Sequence, residues 1–438
     1  MDWLNHWVEQ QYLHSARAML RSISPVDIIK IRPGFGQSVR AHKGSVVASP
    51  ILGNYDPEPD YFFHWYRDSA IVIDALRILH GDARLGIDAL AHFADFVSFS
   101  LSLSGLDGHG LAHSAAWRDA VAPDFRRFLR SNEELSSVQG DKAAGETRVN
   151  PDGTLDISSW PRPQRDGPAM TAITLMRWLQ SAGPPGELKL AIDTLLLAHL
   201  EYTRRYWRES GFDIWEEEKG LHYYTLRAAA TALGLGAAWY EKRADNAAAA
   251  VCRADSLEIL RRLDGYWREG PRFYCSRVLD DNAVSAKELD ISVILAALHA
   301  GGDGESHSVF DPKMHATLAK LEMLFDADYA INRNRPATRA PAMGRYPGDV
   351  YYSGGAYYFS TLAAAEFCFR AAARSPDAKE LIKRGDAFLE TVRAYTPPSG
   401  DLSEQFDQHS GAQRSAQQLA WSYAAFISCV DARRRAFP

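Results

Sequence analysis

The chain has 438 residues, of which 46% are hydrophobic and 24% are charged, and its 49 basic and 55 acidic residues give a net charge of -6. These proportions exclude a largely disordered chain and allow either two or three average domains or one large repetitive domain. We find no basic run that could follow a phosphate backbone and no apolar run of the roughly 18 residues that a membrane span needs. We therefore expect neither nucleic acid nor a membrane as a partner.

The N-terminal segment 1–9 has an early acidic residue and an amphipathic pattern, unlike a signal peptide. We expect a cytoplasmic protein, and a secreted precursor trimmed at this point is the alternative. No Cys-x-x-Cys spacing occurs, so buried free thiols are expected rather than disulfides or zinc ligands. The cysteines are Cys252, Cys275, Cys368 and Cys429.

Apolar residues at helical spacing, bounded by caps and breakers, predict about twelve helices. Their approximate spans are 3–23, 67–80, 84–103, 168–181, 187–208, 223–241, 246–264, 286–300, 312–327, 355–374, 376–395 and 413–430. The segment Ser285–Glu288 has the spacing of a capping box, and Asp311 precedes a proline at the first helical position.

The joints between these helices alternate in length. Joints from an even helix to the next odd helix are mostly short, and joints from odd to even are mostly long, so antiparallel helices would place the long loops at one end. Six helical hairpins closing into a ring, an (α/α)6 barrel, fit this pattern. An open solenoid is the alternative, but no fixed repeat period is visible. We expect a single domain over residues 1–438, with the loop at 105–166 on the functional face.

The polar and aromatic motifs follow the same rule, because each precedes or opens an even-numbered helix. In chain order they are Tyr61–Asp68, Trp160–Gly167, Asp213–Gly220, Gly344–Tyr352 and Ser403–Asp407. A closed ring would bring these distant segments to one end of one domain.

Two of the motifs contain carboxylate clusters beside aromatic residues, around Glu216 and around Glu404. Cleavage of a glycosidic bond needs one carboxyl to protonate the leaving oxygen and a second to activate water or attack the sugar. The alternative for Glu216 is a solvated helix start stabilised by the helix dipole. The apolar Trp215 and the adjacent carboxylates would instead favour a protonated acid.

The pair Arg67 and Asp68 is either a helix-capping ion pair or a clamp for sugar hydroxyls, and Arg345 is either a surface partner of Asp349 or part of the same clamp. Tryptophans among charged or loop residues could stack on a sugar ring, although many tryptophans are simply core. Those tryptophans are Trp65, Trp160, Trp215 and Trp421.

Other chemistries find little support in the sequence. The 14 histidines include no ligand-spaced group, so no metal is expected. Phosphate-binding glycine loops and the Gly-x-Ser-x-Gly motif are absent, so no cofactor and no serine nucleophile are expected.

Taken together, these segments resemble the glucoamylase family, glycoside hydrolase family 15. The resemblance runs from about Gly44 to the C-terminal helix. The matching segments, in the family's order, are Gly44–Ser49 with Asp60–Ser69, Trp160–Pro168, Asp213–Glu218, Gly344–Pro347, Ser403–Asp407 and Ala420–Ala425.

The resemblance implies an (α/α)6 barrel and an inverting exo-hydrolase that releases β-glucose from the non-reducing end of an α-glucoside. Glu216 matches the general acid, and Glu404 matches the general base, which Tyr61 and Gln405 would assist. The positions that match the clamp on the terminal glucose are Arg67, Asp68 and Arg345. The predicted substrate-binding set also includes Trp65, Trp160, Arg162, Trp215, Glu217, Tyr351 and Trp421.

The sequence departs from the family pattern near the outer pocket. Gly348 stands where many members have Glu, and Gly355–Tyr357 replaces the usual Asn-Pro-Trp. We expect no starch-binding domain and no N-terminal β-sandwich, so a small α-glucoside is as plausible a substrate as starch. The alternatives are a non-catalytic carbohydrate sensor, as in phosphorylase kinase regulatory subunits, and a relative that hydrolyses trehalose or transfers glucose.

Overall fold

The computed structural model describes residues 2–55, 57–114, 116–181, 183, 186–281, 283–302, 304–352 and 354–437. Its α-helices are α1 (Asp2–Leu20), α2 (Tyr66–Leu79), α3 (Ala89–Leu103), α4 (His109–Ala112), α5 (Ala116–Asp119), α6 (Asn132–Ser137), α7 (Asp166–Ser181), α8 (Gly186–Tyr206), α9 (Tyr223–Glu241), α10 (Asn246–Asp264), α11 (Ser292–His299), α12 (Pro312–Asp328), α13 (Tyr358–Ala372), α14 (Ala378–Tyr395) and α15 (Ala420–Ala436). Its 3₁₀-helices are Pro33–Phe35, Pro123–Phe128, Gly140–Gly145 and Ala330–Asn332.

The strands are short. They are β1 (Ile29–Arg32), β2 (Gln37–Arg40), β3 (His64–Trp65), β4 (Arg148–Val149), β5 (Gly211–Phe212), β6 (Lys219–His222), β7 (Trp267–Arg268), β8 (Phe273–Tyr274), β9 (Arg277–Leu279), β10 (Ala356–Tyr357), β11 (Gln405–Phe406) and β12 (Gln413–Arg414).

Six helices form a closed inner ring. In chain order α2, α7, α9, α11, α13 and α15 each contact the next, and α15 contacts α2. A second layer surrounds them, because α1 packs on α15, α3 on α2, α8 on α7 and α9, α10 on α9, α12 on α11, and α14 on α13. The architecture is the predicted (α/α)6 barrel, and the solenoid alternative is wrong because the ring closes.

Burial differs between the two layers as this geometry requires. Every residue of α13 except Arg370 is buried, whereas the outer helix α14 buries only one apolar stripe. A helix enclosed on all sides needs small residues where neighbours approach, and α9 supplies alanines and Gly236. A Cβ at Gly236 would stand 2.7 Å from the Leu200 side chain of α8, which fixes how closely these helices pack.

Short sheets lie at the end of the ring where the inner helices begin. β3 pairs with β4 before α2, β6 pairs with β5 and β9 before α9, and β10 pairs with β11 before α13. All pairs are antiparallel. The sequence motifs lie in or beside these strands, so the sheets hold the loops that carry the polar side chains.

Each predicted helix overlaps one of the long helices, and the predicted spans 223–241 and 246–264 coincide with α9 and α10. Asp311 caps α12 as expected, because its Oδ1 accepts from the Lys313 amide at 2.8 Å. The four cysteines are buried and free, as predicted. Within the described residues no helix combines the length and the apolar composition of a membrane span.

Two predicted helix starts are wrong by six residues or more. The predicted capping box at Ser285–Glu288 does not form, because the Ser285 hydroxyl accepts from the nearby Lys287 amide and α11 begins only at Ser292. The last helix begins at Ala420 rather than near 413, because residues 413–414 pair with β11 as a strand. In both places local hydrogen bonds of the loop replace the first helical turns.

The joint between the two layers yields a stability prediction. The indole of Trp178 on α7 is fully buried, donates to the Ile73 carbonyl of α2 at 3.0 Å and stacks on Phe93 of α3 at 4.3 Å. We expect Trp178→Ala to lower the free energy of unfolding by about 3–5 kcal/mol, measured by urea denaturation. Trp3→Ala, at a residue 55% exposed, is the control and should cost under about 1 kcal/mol. Equal losses in the two variants would contradict this packing.

Candidate active site

A cavity of about 240 Å³ lies at the end of the barrel where the inner helices begin. Its wall comes from the first turns of α2, α13 and α15 and from the loops before α7, α9, α13 and α15. The cavity is lined by Ala48, Tyr61, Trp65, Arg67, Asp68, Trp160, Pro161, Ile214, Trp215, Glu216, Glu217, Arg345, Tyr351, Phe359, Glu404, Leu419 and Trp421. Residues more than 350 positions apart in the chain thus share one small chamber.

The cavity wall contains most of the residues that the sequence predicts for the site. Those on the wall are Tyr61, Trp65, Arg67, Asp68, Trp160, Trp215, Glu216, Glu217, Arg345, Tyr351, Glu404 and Trp421. The structure places the other two predicted residues, Arg162 and Gln405, behind the wall.

Arg162 holds the loop that carries Trp160. Its guanidinium donates to Glu146 at 2.8 Å, to Asp156 at 3.0 Å and to the Trp160 carbonyl at 2.9 Å. Gln405 is fully buried and donates to the Tyr351 carbonyl at 3.1 Å and to the Tyr357 hydroxyl at 2.8 Å. Neither side chain lines the cavity, and their bonds to Trp160 and Tyr351 support the wall, so the predicted part of Arg162 and Gln405 in substrate binding stays a prediction.

Glu216 lies in the turn between β5 and β6. The alternative sequence interpretation, which placed it at a solvated helix start, is therefore wrong. Its backbone has φ of 65°, a left-handed conformation that costs a non-glycine residue roughly 1–2 kcal/mol. The Asp213 carboxylate fixes the turn by accepting from the Glu217 amide at 2.7 Å, and Arg277 donates to the same carboxylate at 2.9 Å. The strain is held in place by these buried hydrogen bonds.

Two tryptophans hold the Glu216 carboxyl. The indole N–H of Trp65 donates to Oε1 at 2.7 Å, and that of Trp160 donates to Oε2 at 2.5 Å. Burial raises the pKa of Glu216 above its ordinary value, although Arg67, Arg148 and the Trp160 bond act in the opposite direction. An indole can only donate, so neither partner accepts the proton of the neutral acid, which stays available to an acceptor in the cavity.

Hydroxyl groups hold the Glu404 carboxyl. Ser415 donates to its Oε2, and Tyr61 donates to its Oε1 at 3.2 Å while bonding Tyr351 at 2.9 Å. Glu404 is only 8% exposed, and this burial raises its pKa to about 7, against the lowering influence of Ser415, Arg345 and Tyr61. Glu404 therefore changes its protonation state near neutral pH.

One short segment before α2 contacts both carboxyls. Tyr61 bonds Glu404, Trp65 bonds Glu216, and the two rings lie 5.2 Å apart between centroids. The two carboxyls thus face one cavity. The two aromatic side chains that bond them are positioned by the same short segment of the chain.

Two arginine pairs flank the cavity. Arg67 donates to Asp68 and to the buried Asp166, each at 3.1 Å, and Arg345 grips Asp349 with two bonds of 2.6 Å. Bidentate and charge-assisted bonds of this kind fix the guanidinium planes. Both arginines are paired with carboxylates and also line the cavity, so the clamp on sugar hydroxyls stays a prediction, and the pair of Arg345 with Asp349 is buried rather than on the surface.

Three parallel aromatic rings form one side of the chamber. Phe359 stacks on Trp421 at 4.5 Å, and Trp215 lies parallel to both at 6.0 and 6.3 Å. The Trp215 indole donates to the buried Asp290 at 2.9 Å, which fixes the plane of the ring. The Trp421 indole nitrogen has no partner among the described residues.

Sequence reasoning missed several residues that shape this site. Asp166 lies within the Trp160–Gly167 motif, but an acid in a first helical turn is ordinarily a dipole partner and indicates no role in the site. Phe359 and Asp290 carry no local signal, because the closed ring brings them to Trp421 and Trp215, whereas Ser415 reaches Glu404 through the β11–β12 hairpin.

The burial of Glu404 predicts a pH-dependent stability effect. Its pKa rises from 4.5 to about 7 on folding, so its contribution to stability is full below about pH 4.5 and is lost as pH rises through 7. Gln carries no charge, and we therefore expect Glu404→Gln to be more stable than the natural protein above pH 7, by roughly 3 kcal/mol, with little difference at acid pH. Urea unfolding from pH 4 to 8 measures this, and a pH-independent difference would contradict it.

The chain is similar to known proteins over most of its length. The family described as "Glycosyl hydrolases family 15" matches residues 130–383 and 373–431. The glucoamylase of Neurospora crassa is 30% identical over 444 residues, which are 91% of this chain and 64% of that protein. The probable glucoamylase of Schizosaccharomyces pombe is 27% identical and is matched over 98% of this chain and 92% of its own length.

Solved structures give the same fold. The glucoamylase of Hormoconis resinae aligns with a TM-score of 0.77 at 26% identity, over 99% of this chain and 74% of that one. The glucoamylase of Saccharomycopsis fibuligera aligns with a TM-score of 0.80 at 21% identity, over 99% and 96% respectively. The chain spans 64% of the length of the Neurospora crassa protein.

Proposed function

The chain belongs to glycosyl hydrolases family 15, and from that premise we propose that it is an exo-acting hydrolase that releases glucose from the non-reducing end of α-glucans or small α-glucosides. One observation carries the proposal. Two carboxyl groups in different hydrogen-bonding environments, Glu216 and Glu404, open into one cavity with paired arginines and aromatic rings on its wall.

Glu216 is the general acid in this proposal. Its raised pKa keeps it protonated over a wider pH range, and its two indole partners cannot take the proton from it. Protonation of the glycosidic oxygen makes the leaving sugar a neutral alcohol, which lowers the barrier to bond cleavage. The Trp65 and Trp160 bonds strengthen as the carboxylate forms, so the transition state gains from them.

Glu404 is the general base. It removes a proton from the water that attacks the anomeric carbon on the face opposite the leaving group, so the released glucose has the β configuration. Ser415 and Tyr61 can turn their hydroxyls as Glu404 changes charge, because a hydroxyl both donates and accepts. Tyr61 also lies where it can help to orient this water.

The remaining polar residues hold the terminal glucose. Asp68 accepts from its hydroxyls, and Arg67 and Arg345 donate to them from fixed planes. Trp160, Trp215, Glu217 and Trp421 contact the sugar or the leaving group, where aromatic faces pack on the apolar side of the ring.

The size of the chamber favours attack at chain ends. A cavity of about 240 Å³ set inside a ring of helices has room for a terminal sugar but not for a chain passing through. Gly348 leaves open space, since no heavy atom of the described residues lies within 4 Å of where its Cβ would stand. Without a side chain there, contacts to further sugar units are few, so we propose short α-gluco-oligosaccharides as substrates.

The rest of the proposal concerns organisation and compartment. The first helix α1 packs on the last helix α15, so we propose one catalytic domain over the whole chain. We also propose a cytoplasmic location, which the four unpaired, buried thiols support because reducing compartments keep cysteines free.

Amide replacements test the two roles. Glu216→Gln and Glu404→Gln keep size and polarity but remove the acid and the base, so we expect kcat/KM on maltose to fall by about 10²–10⁴-fold in each. Circular dichroism and thermal unfolding establish that the fold persists. Glu258→Gln on the outer helix α10 is the control and should retain full activity. Near-normal activity of either site variant would remove that residue from its role.

The stereochemistry of the product tests inversion. Proton NMR of freshly cleaved maltose should show β-glucose above its equilibrium share, because the glucose from the non-reducing end is released as the β-anomer, with the α-anomer growing later by mutarotation. An initial excess of the α-anomer over its equilibrium share would contradict the mechanism. Binding of α-glucosides without hydrolysis of any of them would instead favour a carbohydrate sensor.

A further inference from the structure

A lysine outside the predicted site reaches one of the residues of the cavity wall. Lys287 lies in the loop between β9 and α11, where the sequence predicted a capping box. Its ammonium donates to Oε2 of Glu217 at 2.5 Å and lies 4.7 Å from the centre of the Tyr346 ring. Glu217 lines the cavity, and Lys287 lies next to it, just beyond the wall. The lysine thus stands beside the chamber and not within it.

The loop that carries Lys287 is held to its surroundings by several hydrogen bonds. The Ser276 hydroxyl donates to the Lys287 carbonyl at 2.9 Å. The Lys287 amide donates to the Ser285 oxygen at 3.0 Å, and the Ser285 hydroxyl donates to Glu218 at 2.8 Å. The loop is therefore joined to the turn that carries Glu217. A side chain on a fixed backbone loses less conformational freedom when it binds a ligand.

Glu217 is held by other residues as well as by Lys287. The Tyr346 hydroxyl lies 2.7 and 2.5 Å from its two carboxylate oxygens, and Arg345 donates to Oε1 at 3.1 Å. A carboxylate offers about four acceptor sites, and a tyrosine hydroxyl has a single proton to give. With Tyr346, Arg345 and Lys287 bound, one acceptor site of Glu217 remains for a ligand hydroxyl.

The ammonium of Lys287 has donors to spare. A lysine ammonium has three N–H groups, and one of them is used by Glu217. Within the part of the chain that the structure describes, no other acceptor bonds this ammonium. Lys287 and Glu217 thus present a donor and an acceptor side by side. Two neighbouring hydroxyls of a sugar match such a pair, because one can accept while the other donates.

Exposure places this pair on the side of the leaving group. The Glu216 side chain is 11% exposed, whereas those of Glu217 and Lys287 are each 25% exposed. In the proposed function the terminal glucose fills the enclosed chamber and Glu216 protonates the oxygen that links it to the next unit. That next unit therefore lies towards the more exposed side chains, beside Glu217 and Lys287.

We propose that Lys287 is a specificity-determining residue that, together with Glu217, binds two neighbouring hydroxyls of the sugar unit that leaves. This role rests on the proposed function, because it requires a substrate cleaved at Glu216. It defines the preferred substrate class as α-glucosides whose leaving group is itself a sugar with a free pair of neighbouring hydroxyls. An α-glucoside with an apolar leaving group gains nothing from Lys287.

Two substrates with the same terminal glucose test this inference. Maltose has hydroxyls on its leaving group, and p-nitrophenyl α-D-glucoside has none. We expect Lys287→Met to lower kcat/KM on maltose by about tenfold, chiefly through a higher KM, because a charge-assisted bond to the bound substrate is lost. The value on p-nitrophenyl α-D-glucoside should stay within about twofold of that of the natural protein. Initial rates over a range of substrate concentrations measure both.

Lys287→Arg keeps the charge and the N–H donors and should retain most of the activity on maltose. Lys219→Met is the matched control, because Lys219 is an exposed lysine on β6, in the same hairpin as Glu217, and lies outside the cavity wall. Its kinetics should equal those of the natural protein. An equal loss on both substrates in Lys287→Met would contradict the inference, since a lysine that only supports the fold would affect both. Unchanged kinetics on maltose would contradict it as well.

Binding without turnover separates this inference from the proposed activity. In the Glu216→Gln background, isothermal titration calorimetry should show that Lys287→Met weakens maltose binding by about tenfold. Binding of methyl α-D-glucoside, which has no second sugar, should not change. Equal affinity for maltose with and without Lys287→Met would overturn the inference. Absence of hydrolysis by the natural protein would overturn the proposed function and would leave this comparison of affinities intact.

Discussion

The closed ring of six parallel helices is the constraint on which the rest of the structure depends. Because consecutive helices alternate in direction, every inner helix begins at the same end, and the segments before them must meet there. The positive ends of the helix dipoles face the same chamber. A site made of residues from 61 to 421 is therefore a consequence of topology, with no need for those residues to lie near one another in the sequence.

Within that chamber, burial affects the carboxyls of Glu216 and Glu404 in the same direction, and their hydrogen-bonding partners make them different. Both Glu216 and Glu404 are largely withdrawn from water, and both pKa values rise for that reason. Glu216 is held by indoles, which donate only, and Glu404 by hydroxyls, which can reverse their direction. In the proposed mechanism, the indoles leave the Glu216 proton to the substrate, and the hydroxyls can reorient as Glu404 takes up a proton.

The sequence predicts the regular parts of this molecule well and the supporting parts poorly. Helical periodicity is local, so α9 and α10 could be placed to the residue. The starts of α11 and α15 could not, since hydrogen bonds within the preceding loops, including the pairing of β12 with β11, take the place of the first helical turns. The motif residues on the wall were recognisable by their chemistry. Ser415 and Asp290 were not, because they act only through contacts that form on folding. Arg162 resembles a ligand-binding arginine until its carboxylate partners are seen.

At Glu216 the backbone and the proposed reaction favour different residues, because the left-handed turn favours glycine and the reaction needs a carboxyl group. Glycine would adopt this backbone without strain, and asparagine nearly so, but neither carries a titratable proton. Selection for hydrolysis would therefore retain Glu at this position despite its backbone strain. In a descendant barrel that has turned to sugar binding alone, drift would favour Gly or Asn at this turn, so the residue found there serves as a marker of whether a related barrel still cleaves what it holds.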